Sequence, residues 1–175
     1  MASSCSSNSS SQRSKNLGFR YLDHITDVII EAYGDTLKRA FENSAKGLVN
    51  TMFEISKIGE EQVNSSKVEL KVEARGYDYK SLLYDWLEKI MLIVLIDRII
   101  LSSFKIRILS CCSNLEKDNK DNEDYYCYSL IGSVKGEPMA LGKHKYKIEV
   151  KGITYHEMEI KQENGGFVIR FLVDL

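Results

Sequence analysis

The chain has 175 residues, 43% hydrophobic and 28% charged, which fits one ordinary globular domain with material for a sizeable core. A formal net charge of −1 argues against holding nucleic acid by bulk electrostatics, though not against a local basic patch. The most apolar run, Ile90 to Ile96, is only about two helical turns, far short of a membrane span, and no apolar segment near the start reads as a secretory signal.

Residues 1–17 are Ser-rich, with Arg13 and Lys15 and no acids. The composition predicts a disordered tail, with a weak likeness to an organelle-targeting segment. A single domain is expected over 18–175. Gly18 to Asp23 and Asp27 to Tyr33 read as strands, the second rich in β-branched residues. Between them lies Asp23-His24-Ile25-Thr26-Asp27, two carboxylates and an imidazole at the mouth of an apolar strand. Such groups bind a divalent cation or position a phosphate, but they also make an ordinary polar turn.

Gly34-Asp35 ends that strand, and Asp35 or Thr36 can cap a helix. Leu37, Ala40, Phe41, Ala45, Leu48, Met52 and Phe53 recur at helical spacing and predict one amphipathic helix with a single buried stripe. Residues 54–66 read as a loop. Val68 to Ala74 alternates apolar and polar, a half-exposed strand ended by Gly76. Asp78 can cap a second helix, whose wide stripe from Leu82 to Leu95 predicts cover on more than one side. Asp85 falls near the edge of that stripe.

Phe104 to Leu109 alternates as a strand, and 111–124 reads as a polar, mobile insertion without the spacing of a calcium loop. Tyr125 to Val134 is the next strand, and Lys135-Gly136-Glu137-Pro138 reads as a turn. A basic segment, Lys143-His144-Lys145 with Lys147, leads into a strand over 148–156, where Gly152 suggests a bulge. Lys147 and Lys151 share a face if that strand is regular. His144 and His156 read as surface imidazoles. Asn164-Gly165-Gly166 is a hairpin turn into a final strand, Phe167 to Leu175. The expected fold class is α+β: two helices packed on mainly antiparallel β-sheets of about eight strands. No βαβ alternation or Gly-rich nucleotide motif appears.

The four cysteines fit no zinc spacing. Adjacent Cys111 and Cys112 would point to opposite faces of a strand. Free thiols in a reducing compartment, cytoplasmic or nuclear, are expected. At the end of the chain, Asp174 precedes the α-carboxylate of Leu175. If the last strand pairs with 27–33, these anions converge on the Asp23–Asp27 cluster, and a Ca²⁺ or Mg²⁺ ion would relieve their repulsion. A solvated terminus beside an unrelated turn is the alternative.

The motifs together resemble the archease family. His24-Ile25-Thr26-Asp27-Val28 is similar to its His-Thr-Ala-Asp-Val, and Leu82 to Leu87 reads as its Leu-Leu-Tyr-Asp-Trp-Leu. Gly136-Glu137, Lys143-His144, Glu149 to His156 and the ending Val173-Asp174-Leu175 also follow its pattern. Gly152 stands where the family has Ala, and Ile25-Thr26 replaces Thr-Ala. The resemblance implies an accessory protein, not an enzyme, that activates a GTP-dependent tRNA-splicing RNA ligase. It would promote guanylylation of the ligase's active-site histidine and multiple turnover, with GTP or RNA present within the complex and no membrane involved. It also implies a divalent-metal site on Asp27, Asp174 and the terminal carboxylate of Leu175. Lys151, Lys143 and a supporting His24 would belong to the same functional surface, and Asp23 becomes a turn residue. Two other readings use the same residues: a metal-dependent phosphoester hydrolase, and a general RNA-binding module on the lysine face.

Overall fold

The computed structural model describes residues 18–23, 26–55, 68–111, 128–140 and 142–175. His24, the tail at 1–17 and almost all of the 111–124 insertion lie outside the described residues. Seven strands and two helices are described: β1 (Phe19–Asp23), β2 (Val28–Gly34), α1 (Leu37–Met52), β3 (Val68–Gly76), α2 (Tyr79–Leu95), β4 (Ile99–Cys111), β5 (Tyr128–Pro138), β6 (Gly152–Glu163) and β7 (Gly166–Asp174). Sheet order is β1-β2-β7-β6 in one sheet and β3-β5-β4 in the other, with every pairing antiparallel. The α+β class follows as expected.

Each helix starts from the same local device. A strand ends in glycine, and two residues later a short polar side chain caps the helix. After β2 the cap is Thr36, whose hydroxyl accepts the Arg39 N–H at 3.2 Å. After β3 it is Asp78, which accepts the Ser81 N–H at 2.7 Å while the Ser81 hydroxyl accepts the Asp78 N–H at 3.0 Å, a reciprocal capping box. A Cβ at Gly34 would stand 2.3 Å from the Ala40 nitrogen, and one at Gly76 2.3 Å from the Leu82 nitrogen. Any larger residue would push the first helical turn off the strand end.

Both helices touch both sheets. The core therefore forms around them, with Trp86, Phe41, Phe171, Ile30 and Leu48 fully buried. The Trp86 indole N–H donates to the Phe41 carbonyl at 3.2 Å and ties α2 to α1. This packing corrects the expectation of a single stripe on α1. Glu42, Asn43, Ser44 and Thr51 are buried as well, because α1 is covered from β2 on one side and β4 on another. Their polar groups are paired, as burial requires: Ser44 bonds Ala40 O, and Asn43 bonds Tyr33 O.

The helices also close the edges of the three-stranded sheet. On β4, Glu42 accepts the Ile106 N–H and Lys38 donates to Arg107 O, both at 2.8 Å. On β3, Asp85 accepts the Arg75 N–H at 2.8 Å and Lys89 donates to Glu73 O at 2.7 Å. An acid and a lysine from each helix thus satisfy edge groups that would otherwise invite another strand.

Several boundaries differ from the sequence reading. Gly136, Glu137 and Pro138 are the last residues of β5, not a turn; Pro138 sits opposite Ile99 at the strand end, where a missing N–H is tolerated. Residues 148–151 are not strand, so the shared parity of Lys147 and Lys151 loses its premise. Gly152 opens β6 without a bulge. The register breaks further on, between Thr154 and Glu159, where Tyr155 to Met158 oppose Phe171. Glu157 takes φ 57° there. Cys111 ends β4 as an exposed free thiol.

Candidate functional site

The site lies at the open end of the four-stranded sheet, where β2 begins and β7 ends. Val28 pairs with Val173, so continuing that register by one residue sets Asp27 across from Asp174. On the other flank Asp174 pairs with Gly152, which has no side chain to fill the space. The Lys151 N–H donates to Asp174 O at 2.9 Å, and the Lys151 ammonium donates to a terminal oxygen of Leu175 at 2.6 Å. Thr26 Oγ1 donates to Asp27 Oδ2 at 2.9 Å and orients that carboxylate. Antiparallel pairing alone therefore gathers Asp27, Asp174, Leu175 and Lys151, whose sequence positions span most of the chain. Asp23 is the last residue of β1, opposite Val28, and not a turn residue.

The C-terminus of α1 reaches the same end. Tyr21 on β1 donates to Gly47 O at 3.3 Å and accepts from the Asn50 side chain at 2.9 Å. The segment between β5 and β6 then lies against it: Glu54 N–H bonds Lys145 O, Lys147 N–H bonds Met52 O, and the Lys147 ammonium donates to Asn50 O at 2.8 Å. Burial against this helix end pushes the Lys147 amine down, partly opposed by Glu54. The basic segment is thus a strap over the end of α1.

The strap is fastened by a buried acid. Glu137, 7% exposed, receives the Lys143 ammonium on Oε2 at 2.7 Å and faces His144 Nε2 through Oε1 at 2.8 Å. His144 Nδ1 accepts the Ala140 N–H at 2.9 Å, so Nε2 carries the proton and donates to Glu137. This corrects the reading of His144 as a surface imidazole: its side chain is 1% exposed. His156 is exposed, as expected. Lys143 is part of the fastening and Lys151 part of the sheet end, so two lysines grouped together in the sequence reading do different work.

Hard oxygen donors at this end suit Ca²⁺ or Mg²⁺. Among the described residues no group of three or more His, Cys, Asp and Glu side chains gathers as a metal centre. The candidate set is of another composition, two side-chain carboxylates and the chain terminus. Its fit rests on oxygen donors, which suit a hard cation, and on the Val28–Val173 register, whose extension by one residue sets Asp27 across from Asp174.

The chain and its architecture match known proteins. Residues 19–175 match the model of the Archease protein family (MTH1598/TM1083). The chain belongs to the archease family. It is 34% identical over 157 residues to Protein archease of Sulfolobus acidocaldarius, covering 90% of this chain and 98% of that one. It is also 34% identical over 158 residues to Protein archease of Pyrococcus furiosus, with the same coverage. The solution structure of Methanobacterium thermoautotrophicum Protein 1598 superposes with a TM-score of 0.63 at 29% identity, covering 91% of this chain and 99% of that one. Archeases are accessory proteins of the tRNA-splicing ligase system rather than enzymes, and this chain is of that class. No helix among the described residues is long and apolar enough to cross a membrane.

Sequence reasoning missed Glu137 and His144 as a buried pair, and Glu42 and Asp85 as edge caps. A Gly-Glu beside a Lys-His pair was the available signal for the first. For the second, only the burial of a charged residue on a helix flank carries a signal, and that is set by tertiary packing.

Proposed function

We propose that this archease promotes guanylylation of the active-site histidine of a GTP-dependent tRNA-splicing RNA ligase and supports its repeated turnover. The surface that does so is the sheet end carrying Asp27, Asp174, the Leu175 carboxylate and Lys151. The observation that supports this reading is the Val28–Val173 pairing, which draws the two ends of the chain together beside Asp27 and Asp174. Asp27, Asp174 and the terminal carboxylate would hold a divalent cation, Ca²⁺ or Mg²⁺, which supplies positive charge toward phosphate groups when bound. Lys151 holds the terminal carboxylate in place through its 2.6 Å bond and presents a cation beside it. Thr26 orients Asp27. The Glu137–His144–Lys143 fastening keeps the strap, and with it the lead into Lys151, on the end of α1. His24 is assigned a supporting role. GTP or RNA would meet this surface within the complex.

The test mixes ligase and labelled GTP with and without this chain and follows the guanylylated ligase. Wild type is expected to accelerate labelling, and Asp27→Ala to lose about tenfold or more of that effect. Equal acceleration by both proteins would end the proposal. Calorimetric titration of the wild type and of Asp174→Asn with Ca²⁺ or Mg²⁺ checks the metal separately.

A further inference from the structure

A second feature faces solvent beside this surface. A cleft of about 480 Å³ opens between β3, α2 and β6. Its aromatic wall is the pair Tyr84 and Tyr155, stacked at 4.6 Å between centroids and 10° between planes. Tyr155 reaches Tyr84 because of the β6 bulge: it lies in the stretch that leaves the ladder, and the Thr154 hydroxyl accepts the His156 N–H at 3.0 Å to shape the loop. Bulges next to sites commonly re-aim a side chain. Tyr155 stays 51% exposed and Tyr77 at the rim 53% exposed. Two large rings thus stand open to water around one cleft.

Charge divides the cleft. Toward β3, the cations are engaged: Lys89 is held by Asp85 at 2.7 Å and by Glu73 O, and Arg75 helps hold the Glu73 carboxyl low after the larger effect of the Lys71 hydrogen bond. Along α2, beside the two rings, stand the acids Asp78, Asp85 and Glu88. Glu88 lies beside Tyr84, receiving its hydroxyl at 3.3 Å. Burial first, and then the negative charges of Asp78, Asp85 and Glu88 together with Tyr84, push the Tyr155 phenol up; burial and Glu88 do the same to Tyr84. An anion would be repelled from this side. A flat cation would find ring faces and a carboxylate.

We infer that the Tyr84–Tyr155 cleft receives an arginine side chain from a partner protein, its guanidinium lying on the Tyr155 ring and its N–H groups directed to Glu88. Arginine suits the site better than lysine, because its planar, weakly hydrated head stacks on aromatic faces and bonds a carboxylate with two donors. Tyr155 is separated from Gly152, the partner of Asp174, by about 10 Å of strand. A partner protein that reached both the sheet end and the cleft would have to span that distance. The identity of that protein as the ligase rests on the function proposed above; the arginine specificity does not.

The test uses the full chain, isotope-labelled, with no ligase present, so it is separate from the guanylylation assay. Acetyl-Gly-Arg-Gly-amide is titrated and backbone amide shifts are followed. Saturable shifts confined to residues 73–89 and 153–158 are expected. Glu88→Gln should weaken binding about tenfold, Tyr155→Ala should remove it, and Tyr155→Phe should keep it, since the ring face remains. The citrulline peptide, neutral and of the same shape, should not bind. Equal binding of the citrulline peptide, an unchanged Glu88→Gln, or shifts of these residues by guanosine 5′-monophosphate and not by the arginine peptide would each overturn the inference.

Discussion

Two carboxylate rungs lie on one face of the four-stranded sheet, and their surroundings differ. At the first, Glu31 on β2 stands between Arg20 of β1 and Arg170 of β7, directly opposite both in register. It is 3% exposed and takes hydrogen bonds from Arg20 at 2.8 Å, from Arg170 at 2.6 Å and from the Tyr33 hydroxyl. Burial alone would push its carboxyl up, but the bonds from Tyr33, Arg170 and Arg20 outweigh it and hold the carboxyl low. At the second, one residue beyond the Val28–Val173 pair, Asp27 and Asp174 come level at the rim of the sheet. The first arrangement can only hold strands together. The second places carboxylates where the strands end and solvent begins, the end to which the proposed function assigns the working surface.

This contrast makes separable predictions. The largest concerns activity. Asp27→Asn and Asp174→Asn should lower stimulation of ligase guanylylation by about 10- to 100-fold, while Glu31→Gln, once folded, should leave it within about twofold. If Glu31→Gln falls as far as the aspartate variants, the two rungs do not divide function from structure. The next concerns stability. Glu31→Gln should lower unfolding free energy in urea by about 2 kcal/mol, because Arg20 and Arg170 lose a buried acceptor. Both arginines are partly exposed, which keeps the loss below that of a fully enclosed pair. Asp27→Asn and Asp174→Asn should change it by no more than about 0.5 kcal/mol, in the stabilising direction if repulsion is relieved.

A pH series sharpens the same point. The folded Glu31 carboxyl is held below its ordinary value of 4.5. The stability it contributes is therefore complete above that range and is lost as the pH falls through the folded value. Stability curves of wild type and Glu31→Gln should converge below about pH 4.5, and parallel curves would remove Glu31 from the account. The smallest effect is expected at Tyr33. Its phenol is pushed up by burial and then by the Glu31 carboxylate that accepts its hydrogen bond. Tyr33→Phe should cost about 1 kcal/mol in the same urea assay.

Much of the fold could be read along the chain. Period-2 and period-3.6 patterns located both helices and the strands, and Gly76-Tyr77-Asp78 marked the start of α2 to the residue. These signals are local: they depend on neighbours within a turn or a pleat. The pairing of β2 with β7 was expected only as a condition, and the structure supplies it. The chain around 148–151 misled, since an alternating apolar pattern there serves a strap and not a strand. Ile148 and Tyr146 are exposed, while Val150 turns into the core. His144 misled for a different reason: a lone imidazole in a lysine-rich stretch looks solvated until its acid, Glu137, is brought to it.

The sequence by itself determined the element types, the glycine-and-cap starts of both helices, and the motifs by which the chain resembles archeases. Those follow from short-range sterics, hydrogen bonding and side-chain periodicity. Tertiary structure alone decided which carboxylates share a rung, which acids cap the sheet edges, and that a bulge in β6 lays Tyr155 on Tyr84. Each of these needs the spatial meeting of residues far apart in the chain, fixed by strand register and by the burial of both helices between the sheets. Local pattern carries no record of that meeting.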